Sequence, residues 1–364
     1  MDRGSLVTTL DPLRREVGGR VRKLLIERRI SSLPTEAIVS LDKTPYVLLL
    51  TSRFSRGFDA QTYVNELAYA EELAVRGRSF AVTDDPSVVF GKSVIWFPSA
   101  GFVSPRLWDY SRQVYQFASG LERQGNRLLC SSVETAYWEN KAYMHHRLDE
   151  VGVLTPRTTI LTSENRESVE FDMEPVVIKE EHSAGSSGIR QFETAAEARK
   201  FVTTYPFRPT ESLIMQEIVR GAIRDLRVTM VGDTMIEPAT YWRTKSPDAL
   251  SRPEWSTTAT TYNSLVDHGN IPESVAPLAA DCLRQLGIRT AGIDLMWVDD
   301  DVAGKPLLLE LSPYYQPNPP KPERYDGWTY KKYKESPYAA DGYFAQQHIV
   351  LREIAGQLLE QELY

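Results

Sequence analysis

Between residues 45 and 132 short apolar runs alternate with amphipathic stretches. PYVLLLTS, SFAVT, SVIWFP and NRLLCSS are too short for helices and carry the apolar, partly β-branched and aromatic residues that strands favour. AQTYVNELAYAEELAVRG and SPRLWDYSRQVYQFASGLERQG place apolar residues three and four apart, which predicts helices; Gly77 can end the first in a left-handed cap. Strand and helix in alternation predict a small parallel α/β domain over 45–132.

Beyond 132 the pattern changes. Ser131 and Glu134 have the spacing of a capping box, and helical sequence follows to Gly152. From 153 onward the extended runs are TPRTTIL, EPVVIKEE, GIRQF, LIMQEIV, DLRVTMVG, TMIEPATYW, GIDLMWV and PLLLELS. Two helices interrupt them, TAAEARKFVTTY, opened by a Thr194–Glu197 capping box, and PESVAPLAADCLRQLG. Strands in adjacent runs with few helices predict α+β layers on antiparallel sheets. Residues 245–270 are polar and aperiodic, as in a lid or binding loop. Residues 312–343, rich in proline and tyrosine, read either as a pocket wall or as a packed cover. An amphipathic helix, FAQQHIVLREIAGQLLEQEL, follows, and PLRREVGGRVRKLLIERR predicts a basic amphipathic helix in an accessory segment, 1–44. The expected division is 1–44, 45–132, 133–320 and 321–364.

At 364 residues the chain exceeds what one core usually holds, so two or three domains are expected. A net charge of −7 argues against nonspecific nucleic-acid binding and fits a monomer or homo-oligomer. Cys130 and Cys282 lie far apart without a CxxC, which predicts a reducing compartment and neither a disulfide scaffold nor a zinc knuckle. No apolar run approaches the roughly 20 residues of a membrane helix, and MDRGSLVTTLDPLRREV lacks the apolar core of a signal peptide; a cytoplasmic location is expected.

Four stretches carry candidate chemistry. In GIDLMWVDDDVAGKPLLLELS two apolar strands flank a polar turn; if 298 pairs with 306, Asp294 faces Glu310. Like charges directly opposite repel, and a divalent cation such as Mg²⁺ or Mn²⁺ removes the conflict; otherwise the carboxylates are solvated or salt-bridged. In DLRVTMVGDTM a Gly-Asp turn predicts a hairpin, and Asp225 and Arg227 share a strand face. Arg227 can grip a phosphate or carboxylate bidentately, and Asp225 either pairs with it or binds a ribose hydroxyl; a plain surface pair is the simpler reading. VVIKEEHSAGSSGI sets Lys179 before a loop of small residues, whereas the familiar P-loop has its lysine after the glycines. Alone this is a flexible hairpin or an anion cradle of backbone N–H groups. His145 and His146 point to different helix faces and read as packed or solvated, not as a metal pair.

Taken in order, the lysine of WENKAYM, the lysine strand with its small-residue loop, the QEIV strand with Asp-x-Arg after it, and the Asp and Glu strands resemble the ATP-grasp superfamily. The resemblance is nearest to carboxylate–amine ligases such as the ribosomal-protein glutamate ligase and the microviridin-type peptide ligases. It covers 125–320 by motif and 45–130 only in α/β outline. It implies mixed α/β and α+β architecture, an ATP-grasp fold behind an N-terminal parallel α/β (pre-ATP-grasp) domain. By resemblance Lys141 and Lys179 hold nucleotide phosphates, and Gly185, Ser186, Ser187 and Gly188 cover them. Gln216, Glu217 and Val219 meet adenine, partly by backbone, Asp225 meets ribose or substrate, Arg227 meets the transferred phosphoryl group, and Arg243 matches another anion-binding arginine. Asp294 and Glu310 bind Mg²⁺ or Mn²⁺. The family's last metal strand reads Glu-x-Asn; here it is Glu310-Leu311-Ser312, so Asn318 replaces the asparagine if its loop folds back, and otherwise Ser312 or water completes the second metal. The implied activity joins a carboxylate and an amine on amino-acid or peptide substrates through an acyl phosphate, at the expense of ATP. A kinase of the same superfamily and a non-catalytic nucleotide-binding scaffold are the alternatives.

Overall fold

Four apolar runs in the N-terminal third form β1 (Tyr46–Leu49), β2 (Phe80–Thr83), β3 (Ser93–Ile95) and β4 (Arg127–Leu129), paired in parallel in the order β2-β1-β3-β4. Parallel neighbours need crossovers, and α1 (Ala60–Val75) and α2 (Tyr110–Arg123) lie in two of the connections. Gly77, at φ 64°, follows α1 in the left-handed conformation expected of it. Ile38 forms a parallel bridge with Phe80, so the end of the accessory segment joins this sheet. The computed structural model describes residues 36–53, 60–98, 110–183, 188–245, 264–328, 330–336 and 341–363; the basic helix expected within 1–35 lies outside them.

The described residues fall into two compact units, one within Met1–Leu107, Gln116–Ser132 and Leu351–Leu359, the other within Trp108–Tyr115, Val133–Val350 and Glu360–Tyr364. The second unit holds every described candidate site residue.

The helix expected from Ser131 to Gly152 is broken. One turn, α3 (Ser132–Thr135), is followed by turns that include Glu139 at φ 49°, and α4 (Lys141–Glu150) starts afresh on an Asn140 cap that accepts from the Tyr143 N–H at 3.2 Å. Glu134 stands at the N3 position of α3, three residues after Ser131. Its buried carboxylate accepts from the Arg289 backbone N–H at 3.0 Å and from the guanidinium Nε at 3.1 Å.

Two antiparallel sheets follow. The first joins β5 (Thr158–Thr162), β6 (Val176–Glu180), β7 (Ile189–Phe192) and β8 (Ser212–Glu217) in the order β5-β8-β6-β7. Period two divides its faces. Leu161, Val176, Ile178, Leu213 and Met215 pack with Ala198 and Val202 of α5 (Ala195–Thr204), which carries the Thr194–Glu197 capping box. The opposite face presents Thr158, Lys179 and Gln216.

The second sheet contains β9 (Arg224–Val231), β10 (Thr234–Met235), β11 (Tyr241–Lys245), β12 (Ser264–Asp267), β13 (Thr290–Met296) and β14 (Leu307–Ser312), in the order β12-β11-β9-β13-β14 with β10 on β9. The strand expected over TMIEPATYW is split by a 3-10 turn, Glu237–Ala239, because Pro238 cannot donate to a ladder. Residues 264–267, expected within a loop, form edge strand β12 on β11, while 246–263 lie outside the described residues. Leu226, Val228, Ile293, Leu295, Leu308 and Leu311 bury one face against α6 (Val275–Leu286), which ends at left-handed Gly287. Met144 and Leu148 of α4 join this core. The Tyr/Pro-rich segment packs as a cover: Tyr325, Tyr330, Tyr333 and Tyr343 form one buried cluster with α7 (Tyr330–Lys334) and the start of α8 (Tyr343–Leu363). No helix among the described residues is long and apolar enough to cross a membrane.

Candidate active site

The polar face of the β5-β8-β6-β7 sheet is built around one amide. Lys179 Nζ donates to Gln216 Oε1 at 2.6 Å. Gln216 Nε2 donates to Thr158 Oγ1 at 2.9 Å and lies 3.4 Å from His145 Nε2. Register explains the meeting: Gln216 lies opposite Thr158 on β5 and opposite Val177 on β6, two residues from Lys179. Helical spacing puts Lys141 and His145 on one stripe of α4, and both are buried. Lys141 Nζ donates to the backbone carbonyl of Ser183 and to its hydroxyl, the latter at 3.1 Å, so this ammonium ties down the start of the small-residue loop. Burial, opposed by Glu310 and assisted by Lys141, lowers the Lys179 ammonium to about 8. Burial, with Lys179 and Lys141 beside it, lowers His145 to about 3, so its ring is neutral.

The polar face of the second sheet is a ladder of opposite charges. Arg227 holds Asp294 bidentately, with Nη2 to Oδ2 at 2.7 Å. Arg243 grips Asp225, with Nε to Oδ2 at 2.9 Å, and reaches Asp294 Oδ2 at 2.9 Å. Strand order dictates these pairs, since Arg227 is opposite Asp294 and Arg243 opposite Asp225. Asp225 therefore pairs with Arg243 and not with Arg227, its neighbour in sequence. Burial works to raise the Asp294 carboxyl, but Arg227 and Arg243 hold it well below the usual carboxylate range.

Asp294 lies opposite Glu310, as a pairing of 298 with 306 predicts. The ladder then slips at a bulge, so that Leu295 faces Leu308. The slip turns both Leu309 and Glu310 away from the core, while Leu308 and Leu311 stay buried. Glu310 is half-buried and makes no hydrogen bond or ion pair among the described residues.

No protein-family model matches this chain, and no curated protein matches its sequence. Solved structures do match in shape. A RimK domain protein ATP-grasp from Sphaerobacter thermophilus shares 12% identity over 87% of this chain and 98% of its own, at a TM-score of 0.51. D-cycloserine synthetase DcsG shares 16% identity over 85% and 99%, also at 0.51. D-alanine–D-alanine ligase from Bacillus anthracis, in a complex with ATP, shares 12% over 87% and 98%, again at 0.51. The fold is ATP-grasp.

In this ATP-grasp fold the candidate residues lie on the polar faces of the two sheets and in their loops. Gly185, Ser186 and Ser187 lie outside the described residues. Gly188, at φ 68°, closes the loop where a Cβ would come within 2.7 Å of the Glu180 carboxylate, so only glycine fits. Val219 joins Ala222 and Met296 in a small apolar cluster flanked by half-buried Leu307 and Leu309, a setting suited to a flat apolar ring. Glu217 points elsewhere: its carboxylate accepts from the Arg157 N–H at 2.9 Å, and its own N–H is taken by the Arg157 carbonyl at 3.0 Å.

For a metal ion the fit is partial but consistent. Glu310 has no hydrogen bond or ion pair among the described residues, whereas buried Asp294 opposite it is salt-bridged to Arg227 and Arg243, so a cation held by both carboxylates would have to displace those arginines. The Ser312 hydroxyl donates to the Tyr314 carbonyl at 2.6 Å, leaving its lone pairs available. Among the described residues no three His, Cys, Asp or Glu gather into a larger site. Asn318 does fold back toward this sheet, yet its amide donates to the Tyr241 hydroxyl at 2.6 Å and accepts from the Tyr343 hydroxyl at 3.0 Å. Both ends of the side chain are engaged by tyrosines.

Sequence reasoning overlooked Thr158 and assigned His145 no role. Their signal is weak, because each matters only through Gln216, which long-range pairing brings to them.

Proposed function

We propose that this chain is an ATP-dependent carboxylate–amine ligase that forms an amide or peptide bond, with amino acids or short peptides as substrates. One observation carries the reading: within a single unit, two lysines on one set of elements and the Asp294–Glu310 pair with Arg227 and Arg243 on another combine cations for phosphates with a carboxylate pair for their counter-ion. The names of the solved structures of like fold, a cycloserine synthetase and a D-alanine–D-alanine ligase, agree with this class.

ATP is the first substrate. Lys141 and Lys179 hold its phosphates, and the apolar cluster around Val219 and Met296 packs against the base. A bound Mg²⁺ or Mn²⁺, held by Asp294 and Glu310 with Ser312 beside them, supplies charge neutralisation on the phosphates. A carboxylate oxygen attacks the γ-phosphorus, the bond to the β–γ bridging oxygen breaks, and ADP leaves. Arg227 exchanges Asp294 for the phosphoryl oxygens, where its planar fork steadies the developing charge. An amine then attacks the acyl carbon of the acyl phosphate; phosphate departs, the amine loses its proton, and the amide remains.

The test is product chemistry. With ATP and a pooled set of amino acids and short peptides, phosphate release should require both a carboxylate and an amine, and mass spectrometry should find a condensed product lighter by one water. A stable phosphorylated small molecule would instead identify a kinase. Nucleotide binding with no turnover on any pool would identify a scaffold.

A further inference from the structure

The orientation of the Gln216 side chain follows from its neighbours by hydrogen-bond bookkeeping. Lys179 can only donate, so the Gln216 atom 2.6 Å from it must be the oxygen. The amide nitrogen then faces Thr158 and His145. The Thr158 hydroxyl donates its one proton to the Pro156 carbonyl at 2.7 Å, so toward Gln216 it can only accept, at 2.9 Å. The amide nitrogen also lies 3.4 Å from His145 Nε2, which can accept only in the neutral tautomer that carries its proton on Nδ1, an atom with no hydrogen-bond partner among the described residues. Burial and two adjacent lysines hold His145 in that neutral state. The result runs in one direction: Lys179 ammonium to Gln216 oxygen, Gln216 amide to Thr158, Thr158 hydroxyl to Pro156 carbonyl. A flipped amide would turn its N–H groups toward the ammonium and leave Thr158 facing an acceptor it has no proton for.

We propose that Gln216 and Thr158, with His145 packed behind them, are positioning residues that fix the Lys179 ammonium where it meets the nucleotide phosphates. This rests on the ligase reading above, but only on its nucleotide-binding half. It also reassigns Gln216: its side chain serves the phosphate lysine and not the adenine. The relay is neutral throughout, so it orients the ammonium without cancelling its charge, which a carboxylate in the same place would do.

The experiment is a binding cycle with ADP and Mg²⁺ on the full chain, read by calorimetry, with thermal melting to check folding. Gln216→Met, which keeps length and loses both hydrogen-bonding ends, should weaken ADP binding about tenfold. Thr158→Val should weaken it about threefold, and Thr158→Ser, which keeps the hydroxyl, should restore the original affinity. In a Lys179→Met background neither Gln216→Met nor Thr158→Val should cost anything further, because residues acting through one group are non-additive. Equal losses with and without Lys179, or a serine variant as weak as the valine one, overturn the proposal while the ligase reading stands. An unmodified chain that binds no nucleotide overturns both, a result the variants alone cannot produce.

Discussion

The two polar faces solve the burial of cations differently. On the β5-β8-β6-β7 sheet Lys179 is held by a neutral amide, and on α4 Lys141 is held by a carbonyl and a hydroxyl. On the other sheet Arg227 and Arg243 are paired with Asp294 and Asp225. Dipoles leave a cation's charge intact, whereas carboxylates cancel it. The lysine face is therefore ready for an anion, and the arginine face must exchange partners before it can take one. On the proposed reading, the lysines would meet phosphates directly, whereas the arginines would first have to give up Asp294.

Four outcomes would break or sharpen that contrast. The largest effect falls on the paired face. Asp225→Ala takes from buried Arg243 the carboxylate oxygen that accepts from both its Nε and its Nη2 and should cost about 3–5 kcal/mol of stability in denaturant unfolding. A loss near zero would mean that Asp294 alone satisfies the arginine. Glu310→Gln comes next and separates function from folding. Glu310 makes no hydrogen bond or ion pair among the described residues, so stability should stay within about 0.5 kcal/mol, while steady-state turnover with ATP should fall on the order of 100-fold.

The lysine face should show its charge in pH dependence. The free Lys179 ammonium titrates at about 8, lowered from the ordinary lysine value chiefly by burial, and bound phosphate favours the protonated form. Nucleotide affinity should be flat below that pH and weaken as pH rises through it. Lys179→Met should abolish this slope, and a slope that persists in that variant would assign it to another group. The smallest effect is expected at Asn318. Asn318→Ala removes its bonds to Tyr241 and Tyr343 and should cost about 1–3 kcal/mol of stability, with Mn²⁺ affinity in the presence of ADP unchanged. A drop in metal affinity would return this residue to the metal site.

Much of this was legible along the chain. The four parallel strands, the Thr194–Glu197 cap and the facing of Asp294 and Glu310 each depend on a local period or a short turn. The ordered motifs led to the ATP-grasp resemblance, and the solved structures share that fold. The break at Glu139 was missed because capping and helical patterns were read across it, and β12 because its partner stabilises a segment with little periodicity of its own.

What the sequence determined by itself was which side chains share a face, because a strand alternates with period two whatever it pairs with. Thus Asp225 and Arg227 had to point the same way, and so did Met144 and Leu148 on one stripe of α4. What only the tertiary structure decided was which partner each found. Arg227 bonds Asp294, 67 residues away, because β13 pairs with β9, and Asp225 bonds Arg243 because β11 does. Gln216 holds Lys179 because β8 lies between β5 and β6. Strand order is set by burial of the whole apolar face, a property no local window contains, and it is strand order that turned a row of charged residues into pairs.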